Sequence, residues 1–200
     1  MIIGLTGKYC CGKGVAVEYL QSKGFVGFSL SDMLREKLKA AGKEVTRDNL
    51  ITLGNSLRKK QGPGALGKIA MEKISELKKQ GKKKFYVDSV RNPLEARELM
   101  KDSEFRLIFI DADQLIRFQR MLLRKRENDP ETFEEFKKKE LRESKGTSKY
   151  SQRLNDTIKM VNYTVKNEST VEDLHKQVDK LIKDIQKSIK ASASVAKAKS

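Results

Sequence analysis

The stretch that decides the fold is Gly7-Lys8-Tyr9-Cys10-Cys11-Gly12-Lys13-Gly14. It follows a short apolar run, residues 1–5, and precedes residues 15–23, which have the composition of a helix. A strand, a glycine-bounded loop that ends in a lysine, and a helix are the arrangement of a phosphate-binding loop. Successive backbone N–H groups in such a loop form a concave anion site, and the positive end of the helix strengthens it. The sequence therefore predicts that the chain binds a nucleoside triphosphate.

The loop departs from the usual pattern G-x-x-x-x-G-K-[ST] at its last position. Gly14 stands where Ser or Thr normally contacts Mg²⁺, and Val15 cannot supply the hydroxyl either. We therefore expect phosphates, waters and carboxylates elsewhere to hold the metal. The alternative is a glycine-rich turn that caps an ordinary helix and binds no ligand. On the phosphate-loop interpretation, ATP is bound by Gly7, Lys8, Tyr9, Cys10, Cys11, Gly12, Lys13, Gly14 and Val15, with Lys13 on the β- and γ-phosphates.

The composition predicts a soluble chain with a modest core and a strongly charged surface. The 200 residues are 38% hydrophobic and 35% charged, with a mean hydropathy of -0.62, and they suit one domain. No apolar run is long enough to span a membrane, and no basic region followed by a long apolar core begins the chain, so we expect a cytoplasmic protein. The two cysteines, Cys10 and Cys11, are adjacent, and His175 is the one histidine. These counts argue against a structural disulfide and against the usual zinc sites.

A net charge of +16 and a pI of about 9.8 favour anionic partners. Lysines cluster between residues 78 and 84 and again at 137–139. Neither cluster is interleaved with the aromatic residues that a platform for stacking single-stranded bases needs. We expect no membrane partner, and a solvated basic face and a nucleic-acid footprint both remain open.

Strand-like and helix-like segments alternate along the chain. Strands are predicted at residues 1–5, 25–29, 85–87, 105–110 and 161–165. Ser31, Thr46 and Thr170 are expected to cap helices, and Asp129-Pro130 to begin one. Strands that alternate with helices indicate βαβ units, and hence an α/β fold with a parallel sheet covered on both faces. We expect residues 1–185 to form this domain and residues 186–200, which contain no acid, to be a disordered basic tail.

Ligands of such sheets bind beyond the carboxyl ends of the strands, which places the phosphate loop, Asp32, Asp88 and Asp111 along one edge. Asp32 either accepts a hydroxyl proton or binds a metal through water, or only complements the dipole of its helix. Arg35 lies one turn later and suits a phosphate on the acceptor. Asp88 stands where a Mg²⁺ anchor acting through water belongs, and Arg91 is placed to hold a phosphate. Asp111 either joins this group or starts the next helix.

Arg117, Arg120 and Arg124 share one helix face at spacing i, i+3 and i+7, and Arg126 follows them. Arginines over the phosphates are expected, because phosphoryl transfer relies on positioning and charge neutralisation. Residues 127–149 are highly polar. We expect residues 128–150 to form a mobile lid, with an exposed helical hairpin as the alternative. Arg153, which follows the lid, is a further candidate for a phosphate contact.

The loop Gly7-x4-Gly12-Lys13-Gly14 resembles that of adenylate kinases and other nucleoside monophosphate kinases, which end in Gly-Lys-Gly and commonly continue with Thr or Ser. Residues 31–36 are similar to the early acidic helix of dephospho-CoA kinases, and residues 87–93 resemble a signature of adenylate-kinase-like proteins. The resemblance covers residues 1–182. It implies the P-loop NTPase fold, a three-layer αβα domain with a five-stranded parallel sheet. It also implies a helical acceptor-binding insert at residues 31–80 and a short lid.

From these residues we predict an ATP-dependent kinase that transfers the γ-phosphate to a nucleotide-type acceptor and uses Mg²⁺. A nucleoside monophosphate is the first choice of acceptor and dephospho-CoA the second. The expected catalytic residues are Lys13, Asp32, Arg120 and Arg124. The expected acceptor-binding residues are Asp32, Arg35, Asp88 and Arg91. A hypothesis from another class is a nucleotide-gated protein that binds RNA or ribosomal particles without turnover. The sequence leaves open the acceptor, the choice between ATP and GTP, and the oligomeric state.

Overall fold

One parallel sheet of five strands forms the centre of the fold. The computed structural model describes residues 1–124, 129–146 and 148–197. The strands are β1 (Ile2–Gly7), β2 (Val26–Ser29), β3 (Phe85–Asp88), β4 (Phe105–Asp111) and β5 (Tyr163–Lys166). Their order in the sheet is β2-β3-β1-β4-β5, and every pair is parallel. All six residues of β1 are buried, as expected for the central strand of a sheet covered on both faces.

Helices connect the strands and cover the sheet. They are α1 (Lys13–Ser22), α2 (Leu30–Ala40), α3 (Arg47–Gln61), α4 (Ala65–Lys79), α5 (Pro93–Leu99), α6 (Gln114–Arg124), α7 (Phe133–Lys145), α8 (Leu154–Ile158) and α9 (Val171–Lys197). Helices α2, α3 and α4 form the insert between β2 and β3. In the part of the chain that is described, no helix combines the length and apolarity that crossing a bilayer requires.

Two apolar clusters hold the layers together. On one face, Ile3 and Leu5 of β1 pack with Leu20 of α1 and with α9. On the other face, Ile2 packs with residues of α2, α4 and α5, among them Leu66. Because neighbouring residues of a strand point to opposite faces, the alternation along β1 serves both clusters. The three-layer αβα fold with a five-stranded parallel sheet is therefore confirmed.

The position of β1 in the sheet creates the place for a ligand. The chain passes from β1 outwards to β2, returns to β3, and then crosses to β4 on the other side of β1. In open α/β sheets the crevice for a ligand lies at the carboxyl ends of the strands, where the direction of winding reverses. The loop after β1 and the residues after β3 meet at this point.

Several helix boundaries differ from the sequence expectations. Ser29, not Ser31, caps α2, and its Oγ accepts from the Ser31 amide. Thr132, not Asp129, caps α7, and it forms a capping box with Glu135. The Asp129 carboxylate is unavailable for capping because it accepts hydrogen bonds from other side chains, described below. The expected caps at Thr46 and Thr170 are confirmed by their hydrogen bonds to the amides of Asn49 and Asp173.

The expectation of a disordered tail from residue 186 is wrong for the described residues. Helix α9 continues through Lys197. Ile185 is fully buried and Ile189 packs against the same cluster, so apolar contacts with the sheet hold the helix well past residue 186. Alanine and lysine, which dominate the segment after Ile189, have high helix propensity and extend it further.

Candidate active site

The loop between β1 and α1 has the backbone of an anion-binding turn. Gly12 has a φ of 91°, in the left-handed region, and Cys10 has a φ of 58°. The Cys11 amide donates to the Lys8 carbonyl at 3.4 Å, which closes the turn. Helix α1 then begins at Lys13 without a side-chain hydrogen bond at its N-cap. The amide groups of its first turn are therefore available to an anion at the positive end of the helix.

Close packing beneath the loop explains why two of its residues are glycines. A Cβ at Gly7 would lie 2.6 Å from both the Cys11 sulfur and the Ile110 carbonyl oxygen. A Cβ at Gly12 would lie 2.1 Å from Nδ2 of Asn167. That nitrogen donates to the Cys11 carbonyl at 2.9 Å. The loop is thus held from below by β4 and by the residue that follows β5.

The two loop cysteines are free thiols, and Cys10 has low nucleophilicity. Cys11 is buried, and the structure records both cysteines as free thiols. Burial raises the pKa of the Cys10 thiol above its ordinary value, and Arg124 opposes this only in part. The Cys10 thiol is therefore protonated at neutral pH and is a poor nucleophile.

An open cavity of about 950 Å³ lies over the loop. Its volume is at the upper end of the range for small-molecule sites. Its floor is formed by Tyr9, Cys10, Cys11, Gly12, Lys13, Gly14 and Val15. Its walls carry Glu18, Arg35, Arg91, Arg120, Arg124, Asp129 and Lys139, and one end is formed by Glu44, Val45, Thr46 and Asp48. Of the residues predicted for the site, Lys13, Arg35, Arg91, Arg120 and Arg124 therefore surround one space.

The guanidinium groups over the loop are set up for an anion. Nη1 of Arg120 and Nε of Arg124 are buried, and neither has a hydrogen-bond partner among the described residues. Burial lowers the pKa of the Arg91 guanidinium below its ordinary value, against the opposing influence of Asp88. Since buried donors are almost always satisfied in folded proteins, this arrangement fits the phosphate groups of a ligand.

Asp88 lies behind the cavity wall rather than in it. It ends β3, and its Oδ2 accepts from the Ser89 hydroxyl at 3.0 Å. Its other oxygen, Oδ1, is buried and makes no hydrogen bond within the described ranges. In those ranges, no group of three or more His, Cys, Asp or Glu residues could hold a metal. The unpartnered Oδ1 of Asp88 would suit a water-mediated contact to a cation bound by phosphates.

Asp32 also stands outside the cavity lining. It lies exposed in the first turn of α2 and forms an ion pair with Arg35, which does line the cavity. Lys8, although part of the loop sequence, lines a separate cavity of about 310 Å³ together with Asp111 and Lys166. In that cavity Asp111 forms an ion pair with Lys166.

Arg117 does not line the cavity over the loop, in contrast to the expectation from its helical spacing. It is almost fully buried, donates to the carbonyls of Ala112 and Tyr9 and forms an ion pair with Glu140 of α7. Arg117 therefore lies beneath the loop, one turn before Arg120, and its ion pair with Glu140 connects α6 to α7. Arg153 forms an ion pair with Asp156 outside the cavity lining. Arg126 lies outside the described residues.

Tyr9 joins the loop to the segment that was expected to form a lid. Its hydroxyl donates to Asp129 and accepts from Nη2 of Arg124 at 2.7 Å. Its ring packs near Phe136, and Arg124 and Lys139 each lie 4.9 Å from the ring centroid. Burial and the hydrogen bond to Asp129 raise the pKa of Tyr9 to about 12. No local pattern could predict this triad, because Arg124 and Asp129 lie 115 and 120 positions after Tyr9.

The far end of the lid segment is fixed to the core. The buried side chain of Asn92 donates to the carbonyls of Lys149 and Ser151, and its oxygen caps α5. Arg58 of the insert forms a buried ion pair with Glu95 at 2.8 Å and donates to the Tyr150 carbonyl. The insert, the end of the segment expected to form a lid, and the β3–α5 connection are therefore tied together. Of these residues, only Asn92, which precedes a proline, carried a visible capping signal.

The fold and the loop define a protein with the architecture of P-loop kinases. A Thermus thermophilus protein of known structure is 17% identical, with a TM-score of 0.57, covering 92% of this chain and 97% of its own. Shikimate kinase from Bacteroides thetaiotaomicron is 12% identical, with a TM-score of 0.55, covering 92% and 98%. At these identities the likeness concerns the fold alone.

Sequence comparison identifies the family. A UPF0200 protein of Sulfurisphaera tokodaii is 31% identical over 185 residues, which is 92% of this chain and 97% of the relative. A UPF0200 protein of Pyrococcus furiosus is 30% identical over 185 residues, covering 91% and 96%. This chain belongs to the UPF0200 family. No protein-family model matches it.

Proposed function

We propose that this protein is an ATP-dependent phosphotransferase that acts on a small, phosphate-bearing acceptor, with a nucleoside monophosphate as the first choice. The observation that carries the proposal is one cavity in which a phosphate-type loop, Lys13 and four arginines converge. Catalysis of phosphoryl transfer consists mainly of positioning and of neutralising negative charge. These are the tasks that such a set of side chains performs.

The donor side is formed by the loop and α6. The loop amides and Lys13 bind the β- and γ-phosphates of ATP. Arg120 and Arg124 approach from above, where their buried nitrogens donate to the γ-phosphate as charge develops on its oxygens. A guanidinium suits this role because its planar N–H groups match the geometry of phosphate oxygens. Bound Mg²⁺ would add charge neutralisation across the β- and γ-phosphates, with Asp88 ordering its water shell.

The acceptor side is formed by Arg35 and Arg91. Both line the cavity, and the end of the cavity nearest α2 and α3 adds Glu44, Thr46 and Asp48. The two guanidinium groups hold an anionic acceptor group in line with the γ-phosphate. The carboxylates at the cavity end accept hydrogen bonds from hydroxyl or amino groups of the acceptor. Such a combination suits a molecule with one phosphate and several hydrogen-bond donors.

The position of Asp32 favours a phosphate acceptor over a hydroxyl acceptor. A phosphate oxygen is already anionic and attacks without a base, whereas the hydroxyl of dephospho-CoA must lose a proton. A base must come within hydrogen-bond reach of that proton. Asp32 is paired with Arg35 and is not part of the cavity lining. Dephospho-CoA therefore stays the second candidate, and it would require Asp32 to leave its partner.

The test is turnover with a panel of acceptors. Purified protein is incubated with ATP or GTP, Mg²⁺ and each common nucleoside monophosphate, dephospho-CoA or shikimate, and products are identified by mass spectrometry. We expect ADP and a phosphorylated acceptor in equal amounts, and loss of both in Lys13→Ala. Lys39→Ala, an exposed lysine of α2, serves as the control and should retain activity. Nucleotide binding that depends on Lys13, without turnover of any acceptor, would instead support the nucleotide-gated binding protein.

A further inference from the structure

Helix α9 presents a row of lysines on the side that faces away from the sheet. We call Lys176, Lys180, Lys183, Lys187 and Lys190 the lysine stripe; all five are exposed. Their spacing alternates between four and three residues, so at about 100° per residue they stay on one helix face. The stripe spans about 21 Å along the helix axis.

The burial of the opposite face of α9 determines that the stripe points towards solvent. Leu174, Val178, Leu181 and Ile185 are buried in the cluster shared with α1 and the sheet. The helix therefore cannot rotate about its axis without exposing this apolar face. As a consequence, the lysines are held in a regular array by a rigid element, which lowers the conformational entropy lost on binding an equally regular ligand.

Acidic side chains accompany the stripe only as far as Asp184, three residues before Lys187. Asp179 is engaged by the Tyr19 hydroxyl and by Lys23 at the flank of the helix. Asp173 is 3.9 Å from Lys176 at the start of α9. After Asp184 the sequence contains no Asp or Glu. The positive charge of α9 therefore increases towards its carboxyl end.

The surface next to this end is basic as well. Nζ of Lys84 donates to the Lys23 carbonyl at 3.2 Å, and Lys82, Lys83 and Lys84, all exposed, precede β3. Arg106, at the start of β4, donates to the Ser188 hydroxyl of α9. These contacts connect the lysine stripe to the amino ends of the strands. The cavity lies at the carboxyl ends, so the second half of the stripe and residues 82–84 lie at the opposite edge of the sheet.

We propose that the lysine stripe, with Lys23 and residues 82–84, binds the phosphodiester backbone of a double-stranded nucleic acid. A row of lysines at regular intervals is suited to a regular row of phosphates. Between Lys176 and Lys190, Gln186 is the one exposed residue that is not a lysine, and it is polar. This stretch of α9 therefore exposes no aromatic side chain on which unpaired bases could stack and no apolar side chain to enter a lipid layer.

The first experiment compares two triple variants of the full-length protein by fluorescence anisotropy. K183Q/K187Q/K190Q removes three of the five lysines of the stripe, and K39Q/K59Q/K60Q removes the same charge from exposed positions of α2 and α3. The probes are RNA and DNA duplexes of about 20 base pairs, single-stranded RNA of the same sequence, and vesicles with an anionic lipid, over a range of salt concentrations. The stripe variant should weaken duplex binding at least about tenfold and lower the slope of log affinity against log salt by about 3. The control variant should change affinity less than about twofold.

Comparison of the RNA duplex with the DNA duplex shows which of the two nucleic acids the stripe binds more tightly. The proposal is overturned by equal losses in the two variants, by preference for single-stranded RNA, or by binding to vesicles alone. Should the stripe variant lose its circular dichroism signal, K183R/K187R/K190R replaces it and must retain wild-type duplex affinity. ATP turnover should be equal in all variants, because none of the substituted lysines lines the cavity. Failure of the kinase proposal would leave this result unaffected.

Discussion

Asn167 and the Cys11 carbonyl connect the end of β5 to the crest of the phosphate loop. The side-chain amide of Asn167 donates to this oxygen at 2.9 Å, and both residues are buried. The same amide nitrogen occupies the space that a Cβ at Gly12 would need. Glycine at position 12 and asparagine at position 167 therefore depend on each other, although they are far apart in the sequence.

We expect Asn167→Ala to weaken ATP binding about tenfold, because the loop loses the hydrogen bond that holds its crest. Asn167→Asp should weaken it at least as much, since a carboxylate cannot donate to the Cys11 carbonyl and also repels phosphates. Isothermal titration calorimetry measures both. Asn155→Ala, at an exposed position of α8, is the matched control. Unchanged affinity in both Asn167 variants would show that the loop keeps its shape without this contact.

The pH dependence of stability should reveal the buried hydroxyl of Tyr9. Its pKa is raised from 10.0 to about 12 by burial and by Asp129, so the folded protein holds this proton more tightly than the unfolded chain. The resulting stabilisation is complete below pH 10 and is lost as the pH rises towards 12. Tyr9→Phe removes it. In urea unfolding from about pH 8 upwards, wild type should lose stability more steeply than Tyr9→Phe, and parallel curves would contradict the assignment.

Replacing Arg58, the partner of buried Glu95, should destabilise the protein more at neutral than at mildly acidic pH. Arg58→Met leaves Glu95 buried without its cation, which we expect to cost about 3–5 kcal/mol at neutral pH. Burial already raises the pKa of Glu95, and Arg58 is the group that opposes this shift. In the variant the pKa of Glu95 rises further. The destabilisation should therefore be small at low pH, where Glu95 binds a proton, and should grow as the pH rises through the pKa of Glu95 in the folded protein.

Urea unfolding at about pH 5 and about pH 7.5 tests this prediction. Arg58→Met should come closer to wild-type stability at the lower pH, because protonation of Glu95 removes the buried unpaired charge. Arg97→Met is the control, because Arg97 lies exposed on the same helix as Glu95. Equal destabilisation at both pH values would indicate that the loss comes from packing or from the hydrogen bond to the Tyr150 carbonyl, and not from the charge of Glu95.

The sequence was informative wherever a signal is local. The phosphate loop lies between a buried strand and a helix, and Thr46 lies at a helix start, so both could be recognised from neighbouring residues. The alternation of strands and helices sufficed to predict a parallel sheet, and with it the edge where Arg35 and Arg91 meet Lys13. These inferences need only the periodicity of each element and the general rule for parallel sheets.

The remaining features depend on contacts between distant segments. Helical spacing places Arg117 with Arg120, but it does not reveal that Glu140 and the Tyr9 carbonyl capture Arg117 beneath the loop. Asp129 has the sequence of a helix cap, yet its carboxylate accepts hydrogen bonds from Tyr9 and Arg124. Tertiary packing determines which partner an ionised side chain binds, and the neighbouring sequence does not contain that information.

Position 14 offers the sharpest test of how the metal is held. A Cβ at Gly14 would meet no atom within 4 Å, and its φ is not in the left-handed region. Gly14→Ser should therefore fold with stability equal to or slightly above wild type, because glycine is unfavourable within a helix. Its hydroxyl would stand where phosphate loops normally contact Mg²⁺. We expect the Mg²⁺ concentration for half-maximal tightening of ATP binding to fall several-fold, and chelation of Mg²⁺ to weaken ATP binding more than in wild type.

Calorimetric titrations with ATP over a range of Mg²⁺ concentrations measure this effect. Gly12→Ser is the contrasting control. A Cβ at position 12 would lie 2.1 Å from Nδ2 of Asn167, and the φ of 91° at this position is unfavourable for any residue with a side chain. It should lower stability and abolish ATP binding at every Mg²⁺ concentration. If Gly14→Ser folds normally but leaves the Mg²⁺ dependence unchanged, the metal lies away from the first turn of α1. The carboxylate of Asp88 would then be the main protein contact to its water shell, and Asp88→Asn should shift the Mg²⁺ dependence instead.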